Sequence, residues 1–261
     1  MNVLVVGDAI GRPGRNCVRQ LLPELKERFS VDLVILNGEN SAGGFGITPE
    51  TAIELFSYGV DVITTGNHVW DKKEIYDYFN VENRLLRPYN FPGEDTPGKG
   101  WVIVEASNGM KAAVVNLSGR VFLPPLDCPF RSAECVLREI GEETQVIIID
   151  FHAEATAEKV AFGWFVDGRV SAVVGTHTHV QTADERILPG GTGYITDVGM
   201  VGPVDSVIGV EKEIIIEKFL TQLPSRFKVA RGAVCFDAVL IDVDEVTGRA
   251  KGIERIREVI G

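Results

Sequence analysis

The residues best suited to metal chemistry in this sequence follow short apolar runs. All four histidines do so: His68, His152, His177 and His179. Four further polar residues share that placement: Asp8, Glu39, Asn40 and Asn67. Imidazole and carboxylate ligands together suit Zn, Mn or Fe, and two such ions roughly 4 Å apart can activate a bridging water and stabilise a displaced oxygen. The set therefore predicts a dinuclear metal centre.

Buried strands must bring these residues together. The runs "NVLVV", "VDLVILN", "VDVITT", "QVIIID" and "VSAVVG" are short, rich in β-branched residues and followed by polar or turn residues, which is typical of buried strands. Segments with helical spacing lie between several of them, so the pattern predicts a parallel sheet covered by helices. Ligands of open α/β sheets bind outside the carboxyl ends of the strands. We therefore expect five strands of one sheet to deliver the polar residues to a single edge.

Cap and turn signals predict further elements. Thr48, which is followed by proline, is typical of a helix start, and Gly59 is typical of its end. The pair Asn108-Gly109 lies between two apolar runs and indicates a β-hairpin. The apolar spacing predicts an amphipathic helix from about 153 to 165. Because no linker, repeat or low-complexity tract divides the chain, we expect residues 1–261 to form one domain with two packed sheets.

Each polar residue taken alone has a simpler structural interpretation. Asp8 could cap the following helix, Asn67 could occupy a left-handed turn, and Glu39 could be a solvated loop carboxylate. A single histidine after a strand is also more often structural than a ligand. The shared placement of all of them favours the metal centre instead. The segment "GDAIGRPG" lacks the Lys-Ser/Thr ending and the G-x-G-x-x-G spacing of nucleotide phosphate loops.

Bulk composition limits the class of protein. The formal net charge is −11 and no stretch is dense in lysine or arginine, which argues against strong nonspecific binding of nucleic acid. The four cysteines are scattered and form no C-x-x-C pair, so a disulfide framework is not expected. No apolar run approaches the length of a membrane span, and the first residues carry no basic leader. We expect a cytoplasmic protein that does not enter a membrane.

The polar motifs occur in an order that resembles a known superfamily. The series "GDAI", "NGEN", "GNHVW", "DFHAE" and "GTHTHV" is similar to that of the calcineurin-like metallophosphoesterases, except that Ile10 stands where the first motif has histidine and Glu39 where the second has aspartate. With these departures the chain resembles the YmdB-type phosphodiesterases of bacteria, whose signature segments "NGENSAGGFGIT" and "TTGNHVWDKKEI" match closely.

This resemblance implies a fold, an activity and a ligand set. The implied fold is an α/β four-layer α/β/β/α sandwich of two mixed sheets flanked by helices. The implied activity is hydrolysis of 2′,3′-cyclic nucleotides, and also of 3′,5′-cyclic nucleotides, by a hydroxide that bridges two iron or manganese ions. The first ion would be bound by Asp8, Glu39, Asn40 and His179. The second would be bound by Glu39, Asn67, His152 and His177, and His68 would serve as the general acid.

Other functions remain open at this point. The same fold could act on phosphomonoesters or nucleotides, or the protein could be a regulatory binding partner with weak hydrolytic activity. The sequence leaves open the physiological substrate, the choice between iron and manganese, and whether the chain forms a homo-oligomer. The nucleotide base could contact the segment "SAGGFG" or the loop around Phe122.

Overall fold

The computed structural model describes residues 1–93 and 95–261. Its strands are β1 Asn2–Val6, β2 Asp8–Ala9, β3 Leu33–Asn37, β4 Val62–Thr64, β5 Trp101–Glu105, β6 Lys111–Ser118, β7 Ile147–His152, β8 Ala172–Thr176, β9 Arg186–Ile187, β10 Gly193–Ile195, β11 Met200–Pro203, β12 Val234–Val243 and β13 Ala250–Ile260. Its helices are α1 Gly11–Arg28, α2 Pro49–Ser57, α3 Ile75–Phe79, α4 Pro129–Ile140, α5 Thr156–Val166 and α6 Lys212–Thr221.

The strands form two mixed sheets. In the first sheet the order is β2-β11-β12-β1-β3-β4, with β13 paired to β12. Here β1, β3 and β4 run parallel, while β1 and β12 are antiparallel. In the second sheet the order is β5-β6-β7-β8-β10-β9, and its central strands β6, β7, β8 and β10 are parallel. Parallel neighbours need crossover connections, and helices provide most of these.

Three layers of apolar side chains hold the sheets and helices together. One core packs helices α1, α2 and α3 on the outer face of the first sheet, with Leu22, Leu55 and Phe79 fully or almost fully buried. A second core fills the space between the sheets, where β1 and β3 of the first sheet face β6, β7 and β8 of the second. A third packs α4 and α5 on the outer face of the second sheet. The α/β/β/α layering predicted from the resemblance is confirmed.

Local signals in the sequence account for several element boundaries. Thr48 accepts a hydrogen bond from the Thr51 backbone N–H and so caps α2, as its position before Pro49 predicts. The hairpin at Asn108-Gly109 is confirmed, since β5 and β6 pair antiparallel. Helix α5 begins three residues later than predicted, because the Ala153 backbone N–H donates to the Thr176 carbonyl and prolongs the pairing of β7 with β8.

The prediction that one sheet carries all the polar strand ends is wrong. The ends of β1, β3 and β4 belong to the first sheet, whereas β7 and β8 belong to the second. The two sheets stack face to face with these ends on the same side, so the polar residues still meet. They meet across the seam between the sheets, and each sheet contributes part of the cluster.

The helices of residues 1–93 and 95–261 are too short or too polar to cross a membrane.

Candidate metal centre

The seven predicted ligands lie together at the seam between the sheets. Asp8 follows β1, Glu39 and Asn40 follow β3, and Asn67 follows β4. His152 ends β7, and His177 and His179 follow β8. Asp8, Glu39 and His152 are fully buried. Buried charged groups of this kind are costly unless they are paired or bind a metal.

One half of the cluster is built around Nε2 of His152. This atom lies 3.1 Å from Oε1 of Glu39, 3.0 Å from Oδ1 of Asn67 and 3.0 Å from Nδ1 of His177. Ligand atoms of Glu39, His152 and His177 lie within 4.8 Å of one another. With Asn67, these three make up the set of four residues expected to bind the second ion. Their nitrogen and oxygen atoms converge on one point from both sheets, as the ligands of a single cation must.

The other half of the cluster surrounds Asp8. Its Oδ1 lies 3.6 Å from Nε2 of His179 and 3.4 Å from Nδ2 of Asn40. Asn40 Nδ2 also lies 3.3 Å from Nε2 of His179. These residues, with Glu39, form the set expected for the first ion. As placed, Asn40 presents its amide nitrogen, so binding a cation requires a 180° turn of the amide that exchanges Nδ2 and Oδ1.

Glu39 connects the two halves. Its Oε1 is 3.1 Å from His152 Nε2 in one half and 3.4 Å from Asn40 Nδ2 in the other. Its Oε2 accepts a hydrogen bond of 2.9 Å from the His68 backbone N–H. The carboxylate therefore stands between the two groups of donors, where a bridging ligand belongs.

The tautomer of His152 is fixed by a chain of hydrogen bonds. Thr176 Oγ1 donates its one proton to Asp150 Oδ1 over 2.7 Å. The same oxygen lies 2.9 Å from His152 Nδ1, so it must accept a proton from that nitrogen. In the neutral ring, Nε2 of His152 then has its lone pair facing Glu39 and Asn67. Such outer hydrogen bonds orient and activate metal-binding imidazoles.

The other two imidazoles are oriented in the same way. Nδ1 of His179 lies 2.9 Å from the Ile208 carbonyl oxygen, which can only accept. Nε2 of His177 lies 3.0 Å from Oε2 of Glu154. In its neutral form, each ring therefore has its lone pair on the nitrogen that faces the cluster. All three histidines fit a metal centre, and their nitrogen and oxygen neighbours suit Zn, Mn or Fe.

Charges within the cluster move several pKa values. Burial opposes ionisation of Asp8, but the adjacent His179 outweighs it and the pKa of Asp8 falls to about 2. Burial likewise opposes protonation of His179, yet Asp8 raises its pKa to about 9. Burial, reinforced by His152, lowers the pKa of His177 to about 3. His177 is thus neutral at pH 7, which is the form that binds metals.

His68 lies at the mouth of the site. Its Nδ1 is 2.8 Å from Oδ2 of Asp71, and its Nε2 has no hydrogen-bond partner among residues 1–93 and 95–261. Its side chain is half-buried beside Phe45, with ring centroids 5.1 Å apart. The preceding Gly66 is required by packing, because a Cβ there would lie 2.2 Å from Nε2 of His152.

The simpler interpretations of three residues do not hold. Helix α1 is preceded by Ile10 at its N-cap and has no side-chain cap hydrogen bond, so Asp8 does not cap it. Asn67 is not among the described residues with positive φ, so it is not a left-handed turn residue. Glu39 has no exposed surface and is therefore not a solvated loop carboxylate.

Sequence patterns missed the residues that support the cluster. Asp150 lies within β7, and burial raises its pKa to about 6. Two more residues lie in the segment after β7. Glu154 contacts His177, and Lys159 donates a hydrogen bond to the Thr176 carbonyl. A charged residue inside the apolar run "VIIIDFH" was the available signal for Asp150. Lys159 has no local signal, because a lysine in an amphipathic helix is usually solvated.

Comparison with known proteins shows to which family this chain belongs. The profile of the family described as YmdB-like protein matches residues 4–256. The chain is 54% identical over 256 residues to the 2′,3′-cyclic-nucleotide 2′-phosphodiesterase of Bacillus subtilis, covering 98% of this chain and 96% of that one.

Two solved structures share the fold over nearly the whole chain. A hypothetical protein from Thermus thermophilus has a TM-score of 0.92 and 41% identity, with 99% of both chains covered. A structure described as a novel phosphatase from Mycoplasma pneumoniae has a TM-score of 0.93 and 36% identity, covering 99% of this chain and 93% of that one. The chain therefore belongs to the YmdB-like protein family.

Proposed function

We propose that this protein is a metal-dependent phosphodiesterase that hydrolyses 2′,3′-cyclic nucleotides. The observation that carries the proposal is the orientation of three imidazoles. An outer acceptor holds one nitrogen of each ring, so that in the neutral form the other nitrogen turns its lone pair toward the cluster of Asp8 and Glu39. The activity for which the Bacillus subtilis relative is named supports the choice of substrate.

The proposed centre binds two ions, iron or manganese. Asp8, Glu39, Asn40 and His179 hold the first. Glu39, Asn67, His152 and His177 hold the second. A pair of such cations supplies Lewis acidity, which lowers the pKa of water and neutralises charge on phosphoryl oxygens.

His68 is proposed as the general acid. Asp71 accepts from Nδ1 and holds the ring, so the protonated ring can donate from Nε2 to the ribose oxygen that leaves phosphorus. His68 also lines the cavity beside the centre, which puts it within the space open to a substrate. In a 2′,3′-cyclic nucleotide cleaved as the relative's name states, the leaving oxygen is O2′ and the product is a 3′-nucleotide.

The test is a substrate panel on protein purified without oxygen, together with elemental analysis. We expect about two iron or manganese ions per chain and fastest turnover of 2′,3′-cyclic nucleotides, with slower turnover of 3′,5′-cyclic nucleotides. The product should be the 3′-nucleotide. Preferred hydrolysis of monophosphates would identify a phosphomonoesterase instead. Full activity after exhaustive chelation would contradict a metal-dependent mechanism.

A further inference from the structure

A cavity of about 420 Å³ opens beside the proposed metal centre. Its floor contains His68, His177 and His179, and its walls extend well beyond the reach of a phosphate group. Much of the wall is aliphatic, from Ile10, Val207, Ile208, Val210, Ile215 and Val229. The space and its apolar lining suit the larger part of a nucleotide that lies away from the reacting phosphorus.

Two phenylalanines form an aromatic wall that begins at His68. The rings of Phe45 and His68 meet edge to face, with centroids 5.1 Å apart. Phe227 stacks on Phe45, with centroids 5.6 Å apart and planes inclined by 28°. Both phenylalanines are half-buried and line the cavity. The wall thus leads directly from the proposed acid to the interior of the cavity.

A movable side chain covers the ring of Phe227. Nζ of Lys218 lies over this ring, 4.5 Å from its centroid. Lys218 is exposed, and its long side chain can leave the ring without breaking a buried contact. Nearby Phe219, which also lines the cavity, is 73% exposed. A planar ligand that displaced the lysine would cover apolar surface now in water.

Fixed polar groups that could read a base edge are scarce here. Beyond the metal-centre residues and His68, the polar side chains described along the cavity are Glu154, Thr178, Lys218 and Lys228. Glu154 is already engaged by His177, and both lysines are flexible point charges that accept many geometries. A site that reads hydrogen bonds rejects a wrong ligand strongly, whereas an apolar pocket discriminates only modestly.

We infer that the base of the nucleotide substrate packs against the aromatic wall of Phe45 and Phe227 and displaces Lys218. The base is held there without hydrogen bonds that would distinguish one base from another. This inference rests on the proposed function. It makes the enzyme tolerant of all four bases, with purines favoured over pyrimidines by their larger stacking surface. The loop around Phe122, the other candidate from the sequence, does not line this cavity.

The test compares each nucleotide with a substrate that lacks a base. For Phe227→Ala, kcat/KM is measured with adenosine and cytidine 2′,3′-cyclic phosphates and with methyl riboside 2′,3′-cyclic phosphate. Base–aromatic contact is worth about 1–3 kcal/mol, so the ratio of nucleotide to base-free kcat/KM should fall about 5-fold to 150-fold. The loss should appear mainly in KM. Phe122→Ala, which removes an exposed ring outside the cavity, should leave the ratio unchanged.

Binding of product gives a readout that is independent of turnover. Calorimetry should show that Phe227→Ala weakens binding of adenosine 3′-phosphate by the same factor and binding of ribose 3′-phosphate hardly at all. An unchanged ratio, or an equal loss with and without the base, would overturn the inference. A preference above about 10³-fold for one base would also overturn it, because apolar contacts do not discriminate so strongly. If wild-type protein cleaves no cyclic phosphate, the proposed function itself fails.

Discussion

Lys159 and Asp197 form a buried ion pair beneath the loop that carries His177. Nζ of Lys159 lies 2.6 Å from Oδ2 of Asp197, and the two side chains are 1% and 0% exposed. The same ammonium donates to the Thr176 carbonyl, and the same carboxylate oxygen accepts from the Thr178 backbone N–H. The pair therefore anchors the chain on both sides of His177, whose φ of 103° is costly for a residue with a side chain.

Removal of the lysine charge should destabilise the fold and loosen the loop. Lys159→Met leaves the Asp197 carboxylate buried without its cation, which typically costs about 3–5 kcal/mol. Urea unfolding should show this loss, and elemental analysis should show weaker metal retention. The double variant with Asp197→Asn should recover part of the stability, because no buried charge is then unpaired. A single variant as stable as wild type would contradict the anchoring role.

Loss of the Glu39 carboxylate should affect both proposed ions. Glu39→Gln keeps the side-chain size but removes the charge that lies between Asn40 and His152. We expect metal content to fall from about two ions per chain to well below one. Glu134→Gln, an exposed substitution on α4, is the matched control. Retention of two ions by the Glu39 variant would show that this carboxylate does not bridge them.

Replacement of His68 should slow turnover without emptying the centre. A general acid typically increases the rate about 10²- to 10⁴-fold. The substitution His68→Asn should therefore decrease kcat by a factor in that range, while the metal content stays normal. With bis(p-nitrophenyl) phosphate, whose leaving group needs no proton, the loss should be much smaller. Equal losses with both substrates, or a parallel loss of metal, would contradict the acid role.

The hydroxyl of Thr176 should matter for metal affinity. It lies between Asp150 and His152, and Thr176→Val removes it while keeping the side-chain shape. Loss of such an outer partner typically weakens metal binding about 10- to 100-fold. Titration of apoprotein with Mn²⁺ should measure this change. Thr221→Val, on the exposed surface of α6, should bind Mn²⁺ like wild type.

Asp237, which is not one of the proposed ligands, should make stability depend on pH. Burial raises its pKa from the ordinary 3.8 to about 6, against the opposing effect of Arg257. Its Oδ1 is buried and lacks a hydrogen-bond partner among the described residues. Because the folded state holds the proton more tightly than the unfolded state, stability decreases as pH rises from 3.8 to 6, by up to about 1.4 kcal/mol per pH unit.

The substitution Asp237→Asn should remove this dependence. Asparagine carries no charge to bury, so the variant should be more stable than wild type at pH 7.5 and similar to it near pH 4. Thermal unfolding at the two pH values measures the difference. The substitution also removes the carboxylate that faces Arg257. The resulting loss of stability should be small, because the Arg257 side chain is 52% exposed to water. An equal effect at both pH values would show that titration of Asp237 is not the cause.

Local patterns predicted those elements whose signals lie within a few residues. Thr48 caps α2 and Asn108-Gly109 turns a hairpin because both effects depend on adjacent backbone. Strands β2, β9 and β11 were missed. They are two to four residues long, which is too short for a periodic pattern, and β2 and β11 depend on pairing with strands distant in the sequence. The helix α6 was also missed, since only Ile215 of its residues is buried.

The ligand cluster was predictable because polar residues at strand ends share a direction, but its surroundings were not. Assignment of the strands to one sheet failed because periodicity within a strand does not state which neighbour it pairs with. Lys159 and Ile208 act on the site through a side chain and a carbonyl oxygen that only the folded chain brings near. The proposed ligand roles of Asp8, Glu39, Asn40, Asn67, His152, His177 and His179 stay predictions.

Because the cluster lies between the two sheets, metal binding should affect the stability of the folded protein as well as catalysis. Under the proposed assignment, Asn67 comes from one sheet and His152 from the other, so a single cation links the two sheets. Whatever binds the folded chain alone shifts the balance against unfolding in proportion to the logarithm of its concentration. Scarcity of iron or manganese in the cell would then shorten the lifetime of the protein itself, so that supply of the ion governs how much enzyme persists.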